Sequence, residues 1–102
     1  MAVINIHINH AIAKAVAENA LIIDIRSQRE FMEGHIPMSI HVPQEQILSG
    51  HFNLPKSKML IVYCATGSHS MVVSRYLDRR GYRVVNALGG IRACNRALTS
   101  KH

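Results

Sequence analysis

Tryptophan is absent from this 102-residue sequence, and the only aromatics are three Tyr and two Phe. A core must therefore come from Ile, Val, Leu, Ala and Met, for which an apolar share of 48% is ample. Cysteine is as scarce: Cys64 and Cys94 are the only two. One distant pair is not the framework of a small secreted disulfide scaffold, and no CxxC offers zinc ligands. A reducing, cytoplasmic setting is expected. Long hydrophobic runs are missing too. Met1 to Ile12 holds no Lys or Arg, and Asn5, His7, Asn9 and His10 interrupt its apolar residues. That stretch reads as neither a signal peptide nor a membrane span, so no membrane association is expected.

Acidic residues are few and unevenly placed. Residues 52–102 carry nine Lys/Arg against Asp78 alone, whereas residues 1–51 carry three against five, within a net charge of +6. The plain reading is surface charge, with Arg79, Arg80 and Arg83 near a helix C-terminus, where cations are favoured. The functional reading is attraction of small anions or an acidic partner. Nucleic-acid binding is not expected, since neither interleaved aromatics nor a known motif accompanies the charge. The length fits one domain, residues 1–102, expected as a monomer.

Strand and helix signals alternate along the chain. Ile4, Ile6 and Ile8 have period two. Asn9 is placed to cap a helix with Ile12, Ala13, Val16 and Ala17 inward. Ala20–Ile25 is an apolar run suited to a strand covered on both faces, and Ser27–Glu30 is a capping box opening a short helix that stops at Gly34. Ser39–Val42 reads as a strand closed by Pro43, and Gln44–Ser49 as one or two helical turns. Met59–Tyr63 is a second buried strand. The spacing then predicts a helix over Ser70–Arg80 with Val72, Val73, Tyr76 and Leu77 inward, a strand over Arg83–Ala87 and a helix over Ile91–Leu98. Such alternation implies an α/β fold, a parallel sheet between helical layers, with ligands at the carboxyl ends of the strands. Asp24, Arg26 and Cys64 fall at those ends.

Cys64 closes an apolar strand and opens the loop Ala65-Thr66-Gly67-Ser68-His69 before Ser70. A lone cysteine is usually a small buried hydrophobe. This loop, however, has no large side chain to bury and can curl its N–H groups around an anion, with the positive pole of a helix behind it. Both effects favour thiolate over thiol.

At these residues the chain resembles the rhodanese superfamily, specifically its small single-domain sulfurtransferases. Asp24-Ile25-Arg26 with Glu30-Phe31, then Gly34-His35-Ile36-Pro37, then Ile40-His41-Val42-Pro43 are similar to motifs of that family. So are Cys64-Ala65-Thr66-Gly67-Ser68-His69-Ser70, the C-x-x-G-x-R-S active loop, and Leu88-Gly89-Gly90-Ile91. The resemblance implies a single domain with a five-stranded parallel sheet flanked by helices on both faces. It also implies a thiosulfate sulfurtransferase with Cys64 as nucleophile and a persulfide intermediate. The donor would be a small anion and the acceptor a thiol or a thioredoxin-like protein, with no cofactor.

On this reading the backbone amides of Ala65, Thr66, Gly67, Ser68, His69 and Ser70 hold the charge, and Ser70 also caps the helix. Arg26 either faces the substrate or forms a salt bridge to Asp24 or Glu30, two readings of equal weight. Asp24 reads as a turn-capping carboxylate and His35 as a residue holding its own turn. The other histidines are too scattered for a metal site. Two departures stand out. The family often has Arg where His69 stands, and His is a weaker, pH-dependent cation, which counts against strong thiosulfate turnover. It also commonly has Trp where Cys94 stands; Cys94 reads as packing, with a resolving thiol as the alternative. Phosphoryl transfer is disfavoured, because the loop lacks an arginine to hold phosphate. The rival of another class is a non-catalytic persulfide carrier or protein-binding module of the same fold.

Overall fold

The runs read as strands pair into one sheet. In this computed structural model, which describes residues 3–95 and 97–100, the strands are β1 (Ile4–His7), β2 (Leu21–Asp24), β3 (Ser39–His41), β4 (Leu60–Tyr63) and β5 (Val84–Leu88). Their order is β1-β5-β4-β2-β3, and every neighbouring pair is parallel. All four residues of β4 are buried, which explains its unbroken apolar sequence.

Helices cover both faces. On one, Ile23, Leu60, Val62 and Val84 pack with Ile47 of α3 (Gln44–Leu48) and Val73 and Leu77 of α4 (Ser68–Arg79). Full burial of such side chains is worth about 1.5–3 kcal/mol each. On the other face, Ile22, Ile61, Val85 and Ala87 meet Ile8 and the small residues Ala11 and Ala15 of α1 (Ala11–Glu18). The short α2 (Gln28–Glu33) opens on the expected capping box, with Ser27 and Glu30 each bonding the other's backbone N–H. Its Phe31 lies between the stacked rings of His35 and His41. His35 Nδ1 reaches Phe31 O and His41 Nε2 reaches Arg26 O, each at 2.7 Å, so both histidines fix turns.

Several expectations need correction. Asn9 does not cap α1: the His7 ring accepts from Asn9 N and opens a 3₁₀ turn over Ile8–His10, and α1 begins at Ala11. The buried positions of α1 are Ala11 and Ala15, while Val16, Ala13 and Ala17 are exposed. Ile12 faces inward as expected and packs against the same cluster from a partly buried position, so only Ala13, Val16 and Ala17 are turned away. In α4, Val72 is likewise exposed. The helix expected over Ile91–Leu98 is only a 3₁₀ turn, Ile91–Ala93. Beyond it Thr99 pairs antiparallel with His35, a contact that sequence spacing does not reveal; Arg96 of that stretch lies outside the described residues. Among the described residues no helix is long and apolar enough to cross a membrane.

Candidate active site around Cys64

Cys64 follows directly on β4, in the middle of the sheet, and is 3% exposed. The chain turns at once: Gly67 takes φ 101°, a left-handed value that glycine adopts without strain, and stands at the N-cap of α4. That helix starts at Ser68, two residues before the expected Ser70. Ser70 therefore lies inside its first turn and is not the cap. This early start aims two backbone donors at the sulfur: Gly67 N lies 3.0 Å and Ser70 N 3.3 Å from Cys64 Sγ. Ala65, Thr66, Ser68 and His69 complete the turn. Burial pushes the thiol up, but hydrogen bonding from the Ser70 hydroxyl, and then from the backbone N–H groups of Ser70, Gly67 and Thr66, outweighs it, and the Cys64 pKa is lowered.

The loop is clamped from behind by the turn after β5. Ile91 N donates to Cys64 O at 2.9 Å and Arg92 N to Ala65 O at 3.0 Å. The approach is so close that a Cβ on Gly90, whose φ is 60°, would lie 2.5 Å from Ala65 C and 2.6 Å from Cys64 O. The Gly89-Gly90 pair is thus the back wall of the active loop. Gly90→Ala is expected to cost at least about 1–3 kcal/mol in backbone strain and to push Cys64 out of its cradle. Thermal unfolding should show the loss, and the low-pH reactivity of Cys64 toward iodoacetamide should fall with it.

A pocket of about 260 Å³ opens over the sulfur, lined by Arg26, Glu30, Gln44, Glu45, Cys64 and His69 among others. Of the expected site residues it brings Arg26, Cys64, Ala65 and His69 together. Arg26 is less available than its position suggests. Its Nε and Nη2 bind both oxygens of the fully buried Asp24 at 2.7–3.2 Å, and Nη2 also donates to Gly34 O at 2.6 Å. Asp24 Oδ1 accepts from Arg26 N as well, the turn-capping role expected of it, and Tyr63 Oη donates to Asp24 Oδ2. Burial and this carboxylate push the Tyr63 pKa up, keeping the phenol neutral and donating. Glu30 is held ionised below the usual carboxylate range by its Ser27 hydrogen bonds.

Cys94 packs on the other face of the sheet, with the Ile8–Ala87 cluster, whereas Cys64 belongs to the Ile23–Val84 cluster. The two cysteines thus pack into different core clusters. Asn86 escaped the sequence reading. It is fully buried in β5, and its Oδ1 accepts from Ser70 Oγ at 2.5 Å. The signal was present: one amide inside the apolar run Val84–Leu88.

The fold and this site define the class as α/β proteins with a parallel sheet and a cysteine cradled by backbone N–H groups at the carboxyl end of the central strand. The chain belongs to the rhodanese family: residues 9–97 match the rhodanese-like domain. It is 37% identical over 76 residues to the putative sulfurtransferase YtwF of Bacillus subtilis (strain 168), covering 74% of each chain. To a sulfurtransferase of Allochromatium vinosum it is 36% identical over 78 residues, covering 76% of this chain and 73% of that one. The crystal structure of a rhodanese-like domain protein from Staphylococcus aureus superposes over all of both chains, with a TM-score of 0.79 at 27% identity.

Proposed function

We propose that this protein is a sulfurtransferase that carries sulfane sulfur as a persulfide on Cys64. The observation that supports this most is the buried sulfur receiving two backbone N–H groups at the mouth of a pocket in a rhodanese-like domain. With thiosulfate as donor, the Cys64 thiolate attacks the outer sulfur. A new S–S bond forms, the donor's S–S bond breaks, and sulfite leaves with the electron pair. A thiophilic acceptor then attacks the outer sulfur of the persulfide, and the Cys64 thiolate leaves. Cyanide serves in the assay, and a thiol or thioredoxin-like protein is the acceptor proposed for the cell. Covalent storage divides one transfer into two steps with ping-pong kinetics. The loop N–H groups stabilise the anionic sulfur in both.

Because the Cys64 pKa is lowered, its thiolate is complete at a pH where an ordinary thiol is still protonated. Sulfur loading is therefore expected to level off at a lower pH than it would with an ordinary thiol, and to fall as pH drops through the lowered pKa. A stopped-flow profile of the loading step checks this.

The charges around the pocket favour a second reading, the persulfide carrier. Arg26 is neutralised by Asp24, while Glu30 and Glu45 add two carboxylates to the lining. A dianion such as thiosulfate meets little net attraction there, whereas a persulfide delivered by a partner protein avoids that repulsion. His69 is the group best placed to change the balance, being exposed in the first turn of α4 and part of the pocket wall. His69→Arg is expected to raise kcat/KM for thiosulfate on the order of tenfold, the worth of one charge-assisted contact. An unchanged value would mean that position 69 does not meet the donor. Multiple turnover with thiosulfate and cyanide supports the enzyme; one slow loading event supports the carrier.

A further inference from the structure

The arginine in the wall of the Cys64 pocket is not free to meet a ligand. Arg26 binds both oxygens of Asp24 and also Gly34 O, so its charge is answered inside the fold. A second cavity of about 320 Å³ continues from that pocket, and both have Arg26, Glu30 and Ala65 in their walls. Small-molecule sites begin at about 300 Å³, so the two in succession hold more than a sulfur oxyanion fills. Arg92 lines the second cavity. It stands in the 3₁₀ turn Ile91–Ala93, and its backbone N–H donates to Ala65 O at 3.0 Å, which fixes it against the loop of the nucleophile. The residue is exposed, and among the described residues no carboxylate lies within ion-pair distance of its guanidinium. Its charge nonetheless reaches into the cavity: Glu30, held low first by the Ser27 N–H, is held lower by Arg92.

The rest of the wall sets the shape of a ligand. Ile91 and Leu98 are apolar and suit a short methylene chain. Glu33 is engaged by Arg29, which leaves Glu30 and Arg92 as the opposed charges. Beside Glu30 a dianion meets more repulsion than a monoanion, since Coulomb energy scales with charge. A guanidinium fork matches a carboxylate with two parallel hydrogen bonds. A single carboxylate on an apolar stem fits this wall.

We propose that Arg92 is a specificity-determining residue of the sulfur-transfer site: it receives the carboxylate of a small organic thiol in the second cavity while the thiol reaches Cys64. This inference rests on the persulfide reading of Cys64. In the step it serves, the acceptor thiolate attacks the outer sulfur of the Cys64 persulfide. An S–S bond to the acceptor forms, the Cys64 S–S bond breaks, and the electron pair leaves on the Cys64 thiolate. The outer sulfur carries its proton across, and no oxidant or reductant is consumed.

Two alkylating agents test the charge of the site without any sulfur transfer: iodoacetate, which bears a carboxylate, and iodoacetamide, which bears a neutral amide. Their rates at Cys64 are read by peptide mass spectrometry at neutral pH and low ionic strength, in the parent and in Arg92→Ala. The variant keeps the backbone N–H to Ala65 O. The other charged groups of the two cavities, Arg26, Glu30, Glu33, Glu45 and His69, are the same in both proteins. The ratio of iodoacetate to iodoacetamide rates should fall about two- to fivefold in Arg92→Ala, the effect of an exposed ion pair. Iodoacetamide alone should react unchanged, and salt near about 1 M should erase the difference. An unchanged ratio would overturn the proposal. So would an equal fall with both agents, because Arg92 would then act only through the shape of the loop. A second arm starts from sulfur-loaded Cys64 and follows release to mercaptopropionate and to mercaptoethanol. Arg92→Ala should slow release to mercaptopropionate by a similar factor and leave mercaptoethanol unchanged. Equal behaviour of the two thiols would overturn the proposal in favour of a protein acceptor. Should the parent take up no sulfur from any donor, the proposed function fails, and the alkylation ratio still decides the role of Arg92. Should Arg92→Ala fail to fold, Arg92→Gln keeps the stem and is read in the same way.

Discussion

Arg26→Ala is expected to destabilise the protein by about 3–5 kcal/mol, the usual cost of removing one partner from a buried ion pair. The Arg26 side chain is 8% exposed and Asp24 is fully buried, so little solvent screens the pair. Without the guanidinium, Asp24 keeps the Tyr63 hydroxyl and one backbone N–H but has no counter-charge. The Gly34 carbonyl loses its donor in the same step. For a domain of about 100 residues each kcal/mol moves Tm by about 4–8 °C, so a fall well beyond 10 °C should appear on thermal unfolding. Arg26→Lys keeps a charge without the two-pronged geometry and should fall in between. An unchanged Tm with a raised KM for thiosulfate would contradict this and make Arg26 a substrate contact.

How far the sequence could be read depended on whether a residue answers to local or distant partners. The buried strands β2 and β4, the capping box at Ser27 and the stop at Gly34 follow from local rules, and the structure has them. The cradle around Cys64 was legible because strand, small-residue loop and helix start are consecutive in the chain. For Arg26 the salt bridge to Asp24 was legible as one of two equal readings, but not the choice between them, since the sequence cannot say that Gly34 O and both Asp24 oxygens converge on one guanidinium. The inward face of α1 was legible at Ile12, but the burial of Ala11 and Ala15 in place of Ala13, Val16 and Ala17 was not. The last helix was misread because residues after Ile91 answer to the Cys64 loop and to His35, not to helical spacing. Asn86 is the sharpest case. A lone polar residue in an apolar strand is visible in the sequence, yet its partners Ser70 and Asn5 lie 16 and 81 residues away.

The largest functional effect should come from the sulfur itself. Cys64→Ser replaces a buried thiol with a hydroxyl of similar shape, so the loop bonds to Gly67 and Ser70 have an acceptor and the fold should persist. A serine hydroxyl forms no persulfide, so sulfur uptake should fall to background. Cys94 packs into the other core cluster and is not expected to substitute.

Intact-protein mass spectrometry after incubation with thiosulfate, and again after cyanide, tests the central claim most directly. The parent protein should gain the mass of one sulfur atom and lose it to cyanide, while Cys64→Ser, folded by circular dichroism, should gain nothing. Because a carrier accepts sulfur only from its partner, the same pair should also be offered a persulfidated thioredoxin-like protein. Loading of Cys64→Ser from either donor, or of neither protein from both, would contradict a persulfide on Cys64.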